Sequence, residues 1–265
     1  MSLAGALLDL QELTRRLRLD CPWDREQTAR TIVPHTVEEA YEVADAVQAD
    51  DEAKLRDELG DLLFQVYFLS LLLDEKGMGD LEDVARGVHE KLVRRHPHVF
   101  GDAEARTAGR VRERWEEIKT EQEGREGIFH HVPGSLPALI YARKVQRRAA
   151  AVGFEYPDIE SRFRHLHAEL EELRTEIERA GPATPETAPD PRAIDEIGDV
   201  LFLTVNLAMR LNVDAELALR LATQKFVARV ERAERLAAER GERWTELPLE
   251  AQDAYYNVAK AELRR

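Results

Sequence analysis

The 265-residue sequence has one cysteine and lacks several common catalytic motifs. The single Cys21 excludes an intrachain disulfide and is typical of a reducing compartment. No GxxxxGK[ST] loop, GxSxG elbow or GxGxxG fingerprint occurs, which counts against P-loop hydrolases, α/β-hydrolases and dinucleotide-binding enzymes. Glu-x-x-His and His-Asp are also missing. Their absence counts against ferritin-like di-iron proteins and histidine–aspartate phosphohydrolases.

Long apolar runs and an excess of basic residues are missing as well. The longest apolar run, residues 62–73, contains Gln65 and Ser70 and is too short to cross a bilayer. The N-terminal segment shows no basic-then-apolar leader. Lys and Arg number 38 against 52 Asp and Glu, a formal net charge of −14, whereas duplex nucleic-acid binding depends on cations. We therefore expect a soluble, cytoplasmic protein without a duplex nucleic-acid or membrane partner.

Helix-forming residues dominate the chain. Ala, Leu, Glu and Arg are abundant and strand-like alternation is scarce, so we predict an all-α fold. The length allows two modest domains, which we place at residues 1–122 and 135–265. Glycine and proline punctuate residues 123–134, which we interpret as a linker. Residues 181–192 contain four prolines and predict a mobile loop inside the second domain.

An acidic pattern occurs twice along the chain. The first copy comprises Glu39, Glu42, Glu58 and Asp61, and the second comprises Glu169, Glu172, Glu196 and Asp199. The spacing within each pair of acids is the same in both copies, but Glu172 and Glu196 are farther apart in sequence than Glu42 and Glu58. The second copy therefore contains an insertion, and the loop at residues 181–192 explains it. Duplication of an all-α unit is the simplest explanation.

Each acidic copy has the spacing of a metal site. Residues at i and i+3 share a helix face, so each copy provides two carboxylate pairs that converge when their helices pack together. Two unit charges about 4 Å apart repel by roughly 4 kcal/mol at an effective dielectric near 20, which calls for a cation or protons. Oxygen ligands favour Mg²⁺, with Mn²⁺ as a substitute. A single acidic pair is more often a solvated helix face, but Asp61 and Asp199 each precede an apolar run.

Each half of the chain also contains, after its acidic copy, a Lys–Arg pair and then an aromatic–Lys pair. They are Lys91 with Arg95, Lys225 with Arg229, Trp115 with Lys119, and Tyr256 with Lys260. We predict that these residues bind substrate, with the cations contacting phosphates. Basic residues near a helix C-terminus also complement its dipole, and aromatic residues also form core contacts, so both structural interpretations stay open. For the helix that carries Glu39, we predict an N-cap at Thr36 with Glu39 at the N3 position.

Five sequence strings resemble a known family. They are CPWDREQT at 21–28, TVEEAYEV at 36–43, DELGDLLF at 57–64, KLVRRHPHVF at 91–100 and SLPAL at 135–139. Together they resemble the tandem-domain MazG family of all-α nucleoside triphosphate pyrophosphohydrolases, over nearly the whole chain. The resemblance implies a homodimer of four-helix-bundle-like units. It also implies Mg²⁺-dependent hydrolysis of (d)NTPs to (d)NMP and pyrophosphate, which clears non-standard or surplus nucleotides.

The resemblance also implies residue roles. All eight acids named above would be metal ligands, and Glu38 would orient or deprotonate the attacking water. The second copy has Ala168 at the position of Glu38, and Thr223 at a position where the family often has Asn. Two alternatives stay open. One, from another class of protein, is a non-catalytic helical scaffold or sensor that binds metal or nucleotide. The other is a hydrolase of another phosphorylated metabolite, such as an alarmone.

Overall fold

The fold is all-α, as predicted. The computed structural model describes residues 2–101, 127–130, 132–182, 184 and 187–264, and these contain helices and no β-strand. The chain divides into two compact units, Met1–Gly124 and Arg125–Arg265, and the boundary falls within the predicted linker. The sequence also predicts a helix around residues 115–121, and these residues lie outside the described ranges. Among the helices described, none has the length and apolarity needed to span a bilayer.

In the first unit, a pair of long helices forms the framework of the acidic site. Its helices are α1 (Leu3–Asp20), α2 (Pro22–Glu26), α3 (Ala29–Gln48), α4 (Glu52–Asp74), α5 (Leu81–Arg95) and α6 (Pro97–Phe100). Helices α3 and α4 are joined by a short turn and pack along each other, while α1 and α5 pack against α4. Ile32, Phe68 and Leu72 are buried together between α3 and α4. This apolar contact fixes the two acid-bearing helices side by side.

The N-terminus of α3 lies earlier than the sequence predicted. Its N-cap is Thr28, whose hydroxyl accepts a bond from the Thr31 N–H at 3.3 Å, while the Thr31 hydroxyl accepts from the Thr28 N–H at 2.8 Å. The predicted cap Thr36 was wrong, because it lies inside the helix and donates its hydroxyl to the Ile32 carbonyl. Helix α3 contains Pro34 near its start, where the missing N–H removes one helical bond without ending the helix.

Arg18 connects α1 to the segment that leads into α3. Its guanidinium forms a bidentate ion pair with Glu75, with N–O distances of 2.7 and 2.8 Å. One terminal nitrogen of the same group donates to the backbone carbonyls of Asp24, Arg25 and Gln27. These bonds hold α2 and the start of α3 against α1 and the end of α4.

In the second unit, α8 and α9 form the corresponding helix pair. The helices are α7 (Ala138–Ala151), α8 (Ile159–Ala180), α9 (Pro191–Arg210), α10 (Ala215–Glu239) and α11 (Leu249–Glu262). Helix α8 packs along α9, and α10 packs against α11 around a buried cluster of Ala233, Ala237, Tyr255 and Ala259. Helix α9 begins at Pro191, within the predicted loop, because the Asp190 carboxylate accepts from the Arg192 N–H at 2.9 Å and proline suits the first helical position.

A buried arginine joins α8 to α9. Arg162 donates to Asn206 Oδ1 at 2.7 Å and to the Asp158 carbonyl at 2.9 Å, and its guanidinium lies 5.7 Å from the Tyr156 ring centroid. Because Asn206 lies on α9 and Arg162 on α8, this contact fixes the spacing of the helices that carry the second acidic copy.

Candidate metal and nucleotide site

The first acidic copy forms a three-carboxylate cluster across α3 and α4. One oxygen each from Glu39, Glu58 and Asp61 can be chosen so that all three lie within 4.8 Å of one another. Glu58 is buried at 8% exposure, Glu39 is half-buried and Asp61 is exposed. The cluster therefore runs from the helix interface outward to solvent, which leaves one side open to a ligand.

The charges within this cluster disfavour ionisation. Burial, followed by the charges of Asp61 and Glu42, raises the pKa of Glu39 above its ordinary value of 4.5. Burial and then the charge of Glu42 also raise the pKa of Glu58, while Lys54 opposes that change. Glu42 also shares a side-chain hydrogen bond with Glu39. The fourth predicted carboxylate thus lies beside the three that converge.

The second acidic copy has the same arrangement on α8 and α9. Oxygens of Glu169, Glu196 and Asp199 lie within 4.8 Å of one another. Burial, then the charges of Asp199 and Glu172, raises the pKa of Glu169. Burial, then the charges of Glu172 and Glu169, raises the pKa of Glu196. In both copies, therefore, three carboxylates from two neighbouring helices converge, and burial together with neighbouring negative charges raises the pKa values of two glutamates.

One oxygen in the second cluster lacks a hydrogen bond. Within the described part of the chain, Glu196 Oε2 is buried and has no hydrogen-bond partner. An unsatisfied buried acceptor is costly, and a bound cation is one way to satisfy it. The donors of both clusters are carboxylate oxygens, the ligands that Mg²⁺, Ca²⁺ and Mn²⁺ prefer. The residues therefore fit a hard divalent cation.

The structure does not bring Glu38 into the first cluster. Its side chain is 69% exposed, and its carboxylate lies 3.5 Å from Nδ1 of His35. Glu38 therefore differs from its neighbour Glu39, which faces α4. A role for Glu38 in orienting water stays a prediction.

The predicted phosphate-binding cations lie on helices adjoining the acidic pairs. Lys91 is exposed and Arg95 half-buried on α5, which packs against α4. Lys225 is exposed and Arg229 half-buried on α10. Each pair shares a helix face through its i,i+4 spacing. Contact with phosphate stays a prediction for all four residues.

Of the two aromatic residues predicted to bind substrate, the structure describes Tyr256, which makes packing contacts. The ring of Tyr256 lies 5.9 Å from that of Phe226 and packs against the buried cluster between α10 and α11. Lys260 is half-buried on the same helix. Trp115 and Lys119 lie outside the described residues. Substrate binding by these four residues stays a prediction.

Sequence reasoning missed a histidine beside each cluster. His35 precedes Glu39 by about one helical turn, His165 precedes Glu169 by the same spacing, and this repetition was the available signal. Each histidine ring contacts an aromatic ring, Trp23 at 5.9 Å for His35 and Tyr156 at 4.9 Å for His165. The charge of His165 opposes the rise in the Glu169 pKa. Each acidic cluster therefore has an imidazole–aromatic pair at the N-terminal side of its first helix.

Comparison with known proteins finds one matching family model and several similar proteins. The family model described as the MazG nucleotide pyrophosphohydrolase domain matches residues 27–100, which include the first cluster. The nucleoside triphosphate pyrophosphohydrolase of Escherichia coli (strain K12) is 40% identical over 98% of each chain. The nucleoside triphosphate pyrophosphohydrolase/pyrophosphatase MazG of Thermotoga maritima is 39% identical, again over 98% of each. A solved mazG-related protein from Thermotoga maritima covers 42% of this chain and 96% of its own, with 29% identity and a TM-score of 0.38.

The family model and the two full-length sequence matches define the class of the protein. The chain is all-α, its MazG domain match includes the first pair of acidic helices, and its similarity to a known enzyme covers nearly its full length at 40% identity. These findings define a nucleotide pyrophosphohydrolase. The chain belongs to the MazG family of nucleoside triphosphate pyrophosphohydrolases.

Proposed function

We propose that both acidic clusters bind Mg²⁺, with Mn²⁺ as a substitute, and hydrolyse nucleoside triphosphates to nucleoside monophosphate and pyrophosphate. Family membership makes the chain a nucleoside triphosphate pyrophosphohydrolase. The proposal adds the ion, the residues and the use of both units. It also assigns the enzyme a role in clearing surplus or non-standard nucleotides.

The observation that carries the proposal is the unpartnered Glu196 Oε2 within a cluster of like charges. Glu169, Glu196 and Asp199, with Glu172 beside them, would hold the ion in the second unit. Their equivalents Glu39, Glu58, Asp61 and Glu42 would do so in the first. When bound, the ion supplies a more acidic water and neutralises charge on the phosphates.

Other side chains would bind the rest of the substrate. Phosphate charge would be met by Lys91 and Arg95 in the first unit and by Lys225 and Arg229 in the second. Lys119 and Lys260 are further candidates for phosphate, and Trp115 and Tyr256 for the base. Glu38 would orient the attacking water in the first unit only, since Ala168 replaces it in the second.

We further propose that the protein is a homodimer. Leu59 and Leu63 on α4 are exposed apolar residues flanking Asp61, and Ile197 and Leu201 are exposed at the equivalent positions flanking Asp199. Apolar surface at the same place in both units supports a protein–protein contact there. Sedimentation of Leu63→Glu should then show a smaller particle than wild type, and an unchanged mass would contradict this interface.

Product analysis of site variants tests the enzymatic proposal. We expect Glu58→Gln and Glu196→Gln each to lower pyrophosphate release from the full chain, and the double variant to abolish it. Glu52→Gln and Glu171→Gln are matched controls, since both side chains are exposed on the same helix pairs, and they should retain wild-type rates.

The products separate the alternatives. Equimolar nucleoside monophosphate and pyrophosphate support the proposal, and orthophosphate would indicate a different hydrolase. Saturable nucleotide binding without product would indicate a sensor. Full activity in the double variant would remove the clusters from the chemistry.

A further inference from the structure

The first cluster contains a cation of its own. Lys54 Nζ lies 3.8 Å from Glu58 Oε1, one helical turn away on α4. The lysine side chain is 45% exposed, while that of Glu58 is 11% exposed. The lysine therefore reaches from solvent to the most buried carboxylate of the cluster.

Among the described residues, no lysine or arginine forms an ion pair with Glu196 in the second cluster. Arg192 occupies the position of Lys54, since it precedes Glu196 by the same i,i+4 spacing by which Lys54 precedes Glu58. Its guanidinium pairs instead with Glu176 on α8, at 3.8 Å. Glu176 also pairs with Arg179, which in turn donates to the N-cap Asp190 at 2.7 Å. This network holds Arg192 to a different acid, and Glu196 Oε2 stays without a partner.

Besides the replacement of Lys54 by Arg192, the two copies differ at the position of the competing acid. Glu176 follows Glu172 by the same i,i+4 spacing by which Ala46 follows Glu42, and Ala46 is fully buried in the first unit. No carboxylate stands at that position to draw Lys54 away from Glu58. The basic residue at the start of the second acidic helix therefore has a competing partner in one unit only.

We propose that Lys54 competes with the divalent cation for Glu58, so that the first unit binds the metal more weakly than the second. This inference rests on the proposed function, in which both clusters are metal sites. Metal binding at Glu58 has to displace Lys54 or tolerate its charge, whereas at Glu196 it satisfies an unpartnered oxygen. The free energy of a partly exposed ion pair corresponds to about a two- to fivefold change in metal affinity.

The pair is weak enough to be displaced and to be removed without unfolding the chain. Lysine four residues before glutamate is the less favourable order for a helical ion pair. Lys54 also lies in the first turn of α4, where the helix dipole disfavours a cation. Lys54→Met is therefore expected to fold normally.

Mn²⁺ titration followed by electron paramagnetic resonance measures each site in the full chain. Glu196→Gln/Asp199→Asn leaves only the first site, and Glu58→Gln/Asp61→Asn leaves only the second. We expect the dissociation constant of the first site to exceed that of the second by about two- to fivefold. Adding Lys54→Met to the chain that retains only the first site should remove most of this difference. Adding it to the chain that retains only the second site should leave the dissociation constant unchanged.

The reciprocal change tests the same idea in the second unit. Glu176→Ala recreates the Ala46 environment and frees Arg192 to approach Glu196, so the second site should bind Mn²⁺ more weakly. Equal affinities at the two sites, or Lys54→Met without effect on the first, would overturn the inference while leaving the metal sites intact. Absence of Mn²⁺ binding in both single-site chains would overturn the proposed function as well.

Discussion

Arg18→Ala is expected to destabilise the first unit selectively. The substitution removes the bidentate ion pair with Glu75 and the charged donor to three backbone carbonyls. The carbonyls of Asp24 and Gln27 are part-buried and lose a charged donor, which costs about 2 kcal/mol together after partial rehydration. The ion pair, with Glu75 39% exposed, adds at most about 1 kcal/mol. We therefore expect a loss of roughly 3 kcal/mol.

This loss is large against the roughly 5–15 kcal/mol typical of a folded domain. Urea denaturation of the full chain should show an earlier transition for one part of the signal. Hydrogen exchange read by mass spectrometry should locate the loss in the peptides of α1, α2 and the start of α3. The second unit should keep its protection.

Arg16→Ala is the matched control on the same helix. Arg16 pairs with Asp20 at 3.3 Å, but both side chains are largely exposed, so the change should cost less than about 0.5 kcal/mol. Arg18→Lys should rescue little, because an ammonium cannot reproduce the bidentate geometry of the guanidinium. Equal losses of stability in the Arg16 and Arg18 alanine variants would show that the Arg18 contacts do not stabilise the first unit in this way.

Two further predictions follow from the site and the helix caps. The pKa values of Glu39, Glu58, Glu169 and Glu196 are raised in the native state without metal. Between pH 4.5, the ordinary glutamate pKa, and the raised pKa values, the native state therefore binds more protons than the unfolded state. These groups contribute stability that is lost as pH rises through that window. Mg²⁺ should therefore raise the melting temperature more at pH 7.5 than at pH 5 in calorimetry, and an equal rise at both, or none, would contradict this. Thr28→Ala should lower the free energy of unfolding by about 1 kcal/mol in urea titrations, whereas Thr36→Ala should be nearly neutral; the reverse order would restore the cap predicted from sequence.

The convergence of the carboxylates illustrates what local sequence spacing can predict. The i,i+3 spacing places Glu58 and Asp61 on one face of a helix whatever the tertiary structure, and the adjoining apolar run indicates which face packs. The bounds of α5 also have local causes, because Asp80 gives it an N-cap and Pro97 follows its last turn. Local chemistry determines these features.

Other features depend on contacts between distant residues. Arg18 meets Glu75, and Arg162 meets Asn206, across helix pairs that no local pattern specifies. The separation of Glu38 from its neighbour Glu39 depends on how α3 is rotated against α4, and this rotation is fixed by core packing. Local spacing therefore gives the composition of the site but not its electrostatic environment.

Anomalous diffraction from crystals soaked in Mn²⁺ would show whether both acidic clusters bind a divalent cation. We expect one peak among Glu39, Glu58 and Asp61 and another among Glu169, Glu196 and Asp199, each about 2 Å from the carboxylate oxygens. The weaker occupancy should be in the first unit at limiting Mn²⁺. Peaks elsewhere on the protein, with both clusters empty at saturating Mn²⁺, would contradict this expectation.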